Sequence, residues 1–177
     1  MWIDLSKRAW WNYVEEDLQE LLKEAVLLAG IFGQRQKRLD SKPEFDDYAF
    51  IVFPAAKAYE GFLKKVFLNL NFIAKDDYYG KRFRIGKALN PSLEKKYRKE
   101  SVYDKLVDYC KGEDVASTLW NTWKESRNLI FHWFPDEKRV ITFEEAKERI
   151  VMIIGAIDKV FAACDIGVKK SLLTKVE

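Results

Sequence analysis

The chain has 177 residues, 48% of them hydrophobic and 33% charged, with 31 Lys and Arg against 28 Asp and Glu for a formal net charge of +3. This balance excludes a disordered or fibrous protein and provides enough chain for one domain with a substantial core, spanning residues 1–177. The longest uncharged apolar stretches, 25–33 and 150–157, fall well short of the roughly 18 residues that cross a bilayer, so no membrane span is expected.

In chain order, Leu5 to about Ile31 carries apolar residues at Leu18, Leu21, Leu22, Ala25, Val26 and Ala29, the three-and-four spacing of one buried helical face. Gly30 and Gly33 are expected to stop that helix, and a polar stretch, Gln34 to Glu44, follows it. A second long helix is predicted from Phe45 to about Ile73, its stripe running through Ile51, Val52, Ala55, Tyr59, Phe62, Val66 and Phe67. Pro54 should kink it or lie close to its start, because proline removes a backbone donor and collides with the preceding turn. Residues 74–92, with Gly80, Gly86 and Asn90-Pro91, read as a long loop holding at most short helical pieces.

Ser101 to Cys110 is a short predicted helix ended by Gly112. Asp114 is the expected N-cap of the next, which runs through Leu119, Trp120, Trp123 and Ile130 until Pro135 ends it. Thr142 and Glu145 have capping-box spacing, and an apolar helix from Ala146 to Cys164 follows; Val140 and Ile141 could form a short extended piece. The fold class expected is all-α, a bundle of four or five helices, with a basic loop region around 75–100.

Cys110 and Cys164 stand alone, without CxxC spacing or a Cys/His cluster, so neither a zinc site nor a disulfide framework is expected. The N-terminal Met1-Trp2-Ile3-Asp4 lacks the basic segment, apolar run and cleavage site of a secretory signal. Together these point to a reducing cytoplasm. The adjacent acids Asp46-Asp47 and Asp76-Asp77 diverge on a helix and suit capping or loops, so no metal is expected, and no glycine pattern suggests a phosphate loop or cofactor.

Charge is unevenly distributed. Between residues 81 and 99 stand Lys81, Arg82, Arg84, Lys87, Lys95, Lys96, Arg98 and Lys99 against Glu94 alone, a candidate footprint for a polyanion. Tyr79, Lys81, Arg82, Phe83 and Arg84 interleave aromatic and basic side chains, an arrangement that can stack single-stranded bases while attracting their phosphates. A solvated loop with its aromatics tucked onto the bundle is the plainer reading of any one of them.

His132 is the only histidine, and so the one side chain whose ordinary titration range suits acid-base work near neutral pH. On a continuous helix Asn128 and His132, four apart, share a face, with Arg127 on the adjacent one. The segment Arg127-Asn128-Leu129-Ile130-Phe131-His132 resembles the HEPN superfamily motif, an Arg and a His separated by four to six residues with a polar residue after the Arg. Trp120 and Trp123 resemble the aromatic lead-in to that motif. The segment from Tyr59 to Phe67 resembles the one in RNase LS type HEPN toxins that carries an acidic residue of the same site, which singles out Glu60; on residue spacing alone, Glu60 could equally form a surface pair with Lys64.

What the resemblance implies is a metal-independent endoribonuclease, a toxin acting on RNA as a homodimer and restrained by an antitoxin protein. Arg127, Asn128, His132 and Glu60 would be its catalytic residues, and Lys64, Tyr79, Lys81, Arg82, Phe83 and Arg84 its RNA contacts. The chemistry fits these residue types: cleavage through the 2′-hydroxyl needs a base for its proton and a cation for the phosphate charge. The alternative is a non-catalytic helical module that binds nucleic acid or a protein partner.

Overall fold

The computed structural model describes residues 3–38, 43–133, 135, 139–164 and 166. It is all-α, with no strand among the described residues. The longer helices are α1 (Glu16–Arg38), α2 (Ala49–Asn69), α5 (Val102–Tyr109), α6 (Glu113–Trp123) and α7 (Phe143–Ala163), with two short ones, α3 (Lys75–Tyr79) and α4 (Ile85–Ala88), in the basic region. Short 3-10 helices lie at Trp11–Tyr13 and Lys95–Glu100.

The centre of the bundle is α2. Ile51, Val52, Ala55, Tyr59, Phe62, Leu63, Val66 and Phe67 are all buried, so the helix is enclosed on most of its circumference by α1 and α7 and, nearer the basic region, by α3 and α4. It runs through Pro54, its sixth residue, close to the start as the sequence suggested. Tyr59 is buried completely, which would be costly for a free phenol; its hydroxyl donates to the Leu119 carbonyl at 3.1 Å and pins α2 to α6. Burial raises the Tyr59 ionisation far above the usual tyrosine range, so the group remains a neutral donor.

The N-terminal segment is clasped to α7: the buried Trp10 indole donates to Asp158 at 2.6 Å, and Arg8 pairs with the other oxygen of that carboxylate at 2.8 Å. Helix α7 begins with the expected capping box, the Thr142 hydroxyl accepting from the Glu145 N–H at 3.2 Å and the Glu145 carboxylate from the Thr142 N–H at 2.7 Å. These bonds hold Glu145 below the ordinary carboxylate range.

The structure corrects several expectations. Helix α1 does not stop at Gly30 or Gly33 but continues to Arg38. At Gly33 a Cβ would lie 3.3 Å from the Phe143 ring, so the glycine serves helix contact, and Arg35, Lys37 and Arg38 in the last turn complement the helix dipole. Helix α6 begins at Glu113 behind Gly112, so Asp114 is not its cap; its side chain instead receives Lys159 of α7 at 2.6 Å. Val140 and Ile141 form no strand, although the Ile141 carbonyl does accept from the Tyr48 N–H at 2.9 Å ahead of α2.

A further correction concerns the cysteines. Cys110, at the end of α5, and Cys164, at the end of α7, form a disulfide with Cα atoms 5.5 Å apart and a sequence separation of 54. Disulfides persist in oxidising compartments and are rare in reducing ones, so the pair also removes the cysteine-based argument for a cytoplasmic address. No helix among the described residues is long and apolar enough to cross a membrane.

Closing a loop of this length removes denatured-state entropy worth about 4 kcal/mol in the chain-entropy model. Reduction, or Cys110→Ser with Cys164→Ser, is therefore expected to cost ~2–4 kcal/mol, a fall in Tm of roughly 5–15 °C for a chain of this size. Thermal melts with and without reductant, together with a free-thiol count, check this; a full free-thiol count in the untreated protein would contradict the pairing.

Candidate functional site

Beyond Trp123 the backbone leaves α-helical geometry. Residues Lys124–Asn128 form a single π turn, closed by the Leu129 N–H donating to the Lys124 carbonyl five residues back at 2.9 Å. Such turns insert an extra residue into the helical repeat and re-aim every side chain after it. Turns at 129–130 and a bend at 131 then end the helix, so it does not reach Phe134, which lies outside the described residues.

Three consecutive side chains of this turn meet neighbouring helices. Glu125 pairs with Arg149 of α7 at 3.6 Å. Ser126 is completely buried, its hydroxyl donating to the Met152 sulfur of α7 at 3.5 Å. Arg127 faces α2, where its Nη2 lies 3.8 Å from Glu60 Oε2. Glu60 follows Tyr59, so the buried hydroxyl contact between α2 and α6 sets the separation across which that pair forms.

The Arg127 guanidinium carbon lies 5.0 Å from the centre of the Trp123 ring, and the two carry a cation–π contact. At 3.8 Å the contact with Glu60 is an ion pair and too long for a hydrogen bond. Among the described residues no hydrogen bond from the guanidinium is found, so its N–H fork is positioned by charge and by the indole face while its donors stay uncommitted. Both partners are more than a third exposed, so the pair contributes little to stability.

The structure thus brings Glu60 to Arg127 and not to Lys64, which corrects the surface-pair reading. It does not place Asn128 and His132 on one helical face, because the π turn ends at Asn128 and His132 lies beyond it in irregular chain. His132 is exposed in a groove of about 410 Å³ lined by Asp47, Phe50, Phe53, Phe131, Trp133 and Arg139, among others; Arg127, Asn128 and Glu60 are not among the lining residues. Asp47 anchors this groove from the loop ahead of α2, its Oδ1 accepting from the Ala49 N–H at 3.0 Å and the Ile141 N–H at 3.2 Å. Arg139 carries no sequence signal, since no spacing rule joins it to His132.

In the basic region Tyr78 and Tyr79 divide their roles. The Tyr78 hydroxyl donates to Glu15, just ahead of α1, at 3.0 Å, and burial raises its ionisation to about 12. Tyr79 is 79% exposed and meets Tyr78 edge-on at 4.9 Å. Arg82, Phe83 and Arg84 line a second cleft of about 480 Å³, which neither Lys64, Tyr79 nor Lys81 reaches. The charge footprint is smaller than the sequence count, because Glu100 pairs with Lys87 at 3.2 Å and Asp104 with Arg98 at 3.2 Å.

Gly86 connects the two regions. A Cβ there would lie 3.1 Å from the Trp123 Nε1, so α4 rests directly on the indole whose face underlies Arg127. Among the described residues no group of three His, Cys, Asp or Glu side chains converges as metal ligands. No family model, curated protein or solved structure matches the chain.

Glu60→Gln should change stability by less than ~1 kcal/mol, as an exposed ion pair does. Ser126→Val, which forces a larger side chain into a filled site, should cost ~1–3 kcal/mol. Urea melts check both; a large loss from Glu60→Gln would make the pair a structural strut instead of a positioned pair of functional groups.

Proposed function

We propose that the chain is a metal-independent endoribonuclease of HEPN type, the toxin of a toxin–antitoxin or defence system. The observation that carries this reading is the Arg127–Glu60 pair over Trp123, with the arginine's donors uncommitted. Residues selected from two distant segments by resemblance lie together, and the one cation among them is oriented without being consumed.

In the proposed reaction His132 takes the proton of a ribose 2′-hydroxyl, the oxygen attacks the adjacent phosphorus, and the bond to the 5′-oxygen breaks. The products are a 2′,3′-cyclic phosphate and a 5′-hydroxyl, the leaving oxygen taking its proton from an acid. Arg127 neutralises the charge that develops on the phosphate, a role suited to a planar fork that grips two oxygens. Asn128 orients the phosphate, and Glu60 holds the guanidinium in register.

A homodimer supplies what one chain lacks. With a single histidine per chain, a two-fold axis would bring a second His132 as the acid. Its contact surface would be the apolar rim of the His132 groove, where Trp133 is 79% and Phe53 55% exposed. Phe53 stands edge-on to Phe131 at 5.6 Å, which gives that rim an ordered aromatic wall. An antitoxin protein would act by covering this rim or by keeping the copies apart. Tyr79, Lys81, Arg82, Phe83, Arg84 and Lys64 are the proposed RNA contacts.

One observation favours the second reading, a non-catalytic module that binds nucleic acid or protein: within one chain the groove of His132 does not include Arg127. Cleavage assays decide between the two. The nuclease reading expects RNA cut in the presence of EDTA, with His132→Ala and Arg127→Ala each lowering the rate by roughly 10²–10⁴ while Tm stays unchanged. RNA binding without any cleavage by the wild-type dimer would establish the module instead.

A further inference from the structure

The cleft of about 480 Å³ in the basic region has a composition of its own. Its floor is apolar, with Phe72, Ile73, Ala88 and Leu93, and Phe83 forms one wall. Five cations line it, Arg82, Arg84, Lys87, Lys99 and Lys105, against the two acids Asp77 and Glu100. The volume lies within the range of sites that take small molecules and cofactors, about 300–1,000 Å³.

The cations are not equivalent. Lys105 is spent on the floor, its Nζ donating to the Phe72 carbonyl at 2.8 Å. Lys87 is spent on Glu100 and lies 4.3 Å from the centre of the Tyr97 ring. Asp77 is turned to local structure, accepting from the Ala74 N–H at 3.1 Å. This leaves Arg82, Arg84 and Lys99, all exposed and none paired with a carboxylate among the described residues. Arg84 donates through Nη1 to the Lys81 carbonyl at 2.8 Å, which holds it in place without neutralising it.

An apolar slot with a half-buried aromatic wall and three uncompensated cations at its mouth matches a nucleotide: a flat base that gains by leaving water and a phosphate that gains by meeting positive charge. We propose that this cleft is a subsite for one unpaired nucleotide of an RNA strand, the base against Phe83 and the flanking phosphates on Arg82, Arg84 and Lys99. The inference rests on the ribonuclease reading for the identity of the strand, and it makes that substrate single-stranded where it crosses the cleft, because a paired base cannot enter.

One indole links the cleft's helix to Arg127. Arg84 precedes α4 and Lys87 lies within it, and Gly86 between them packs on the Trp123 indole that carries Arg127 on its face. The helix that follows Arg84 and the Arg127 guanidinium thus meet the same buried indole. Glycine at 86 is what allows α4 to come this close.

The test measures binding of a labelled single-stranded oligoribonucleotide to the non-cleaving His132→Ala protein by fluorescence anisotropy, between about 50 and 200 mM salt. Arg82→Glu with Arg84→Glu should weaken binding at least roughly tenfold and, because two phosphates are no longer neutralised, flatten the log–log salt slope by about 1.4. Phe83→Leu, which keeps apolar bulk but removes the stacking face, should weaken binding severalfold and leave the salt slope alone. Blunt duplex RNA should bind the parent protein no better than the single strand binds the double variant, and adenosine monophosphate alone should compete weakly.

Unchanged single-strand affinity in both variants, or an equal loss with duplex, would overturn the subsite; so would full competition by the free nucleotide, which would make the ligand a small molecule. Failure of the two readings is separable. A protein that cuts no RNA but loses affinity in these variants keeps the cleft and loses the nuclease. One that cuts RNA while both variants bind like the parent loses the cleft alone.

Discussion

The candidate site depends on one departure from helical regularity, the π turn at residues 124–128. An α-helix continued from α6 would carry Ser126, Arg127 and His132 along in fixed rotation. With an extra residue in the turn, Ser126 still reaches the core, and Glu125 and Arg127 are tied to α7 and α2 respectively. The turn is held chiefly by its one buried polar group, the Ser126 hydroxyl, which finds an acceptor, while its two charged neighbours are oriented toward α7 and α2. Everything proposed for Arg127, its place on Trp123 and its distance to Glu60, follows from that arrangement.

The stability of the surroundings comes from elsewhere. The enclosed face of α2, the Tyr59 hydroxyl, the clasp of Trp10 on Asp158 and the Cys110–Cys164 link form a stiff frame beneath and around the proposed site. The functional groups sit on its rim, half-buried or exposed, with weak mutual interactions. This division lets polar side chains be oriented by the frame while their hydrogen-bonding capacity stays available.

Much of the fold is legible in the sequence where a local rule operates. The Thr142/Glu145 box announces α7, and the apolar spacing of α2 from Ile51 to Phe67 survives Pro54 because the proline lies near the start. Gly33 misleads because its role is contact with Phe143, which only the tertiary arrangement reveals. The cysteine pair is invisible because its members are 54 residues apart and no spacing rule links them. The π turn has no composition signal, so the shared face of Asn128 and His132, read from a perfect helix, does not exist. Glu60 stands out only by likeness to other chains, and on spacing alone it is no better than a partner for Lys64; the structure gives it Arg127.

At the centre of the account is a reaction in which the RNA supplies its own nucleophile and Arg127 stabilises the phosphate that is attacked. The most direct measurement places a single 2′-deoxynucleotide immediately 5′ to the mapped scissile phosphate of an otherwise unmodified RNA. The account predicts that cleavage at that position disappears while cleavage at unmodified positions continues. Undiminished cleavage at the deoxy position would mean that another nucleophile attacks the phosphate, and would contradict the role given to His132.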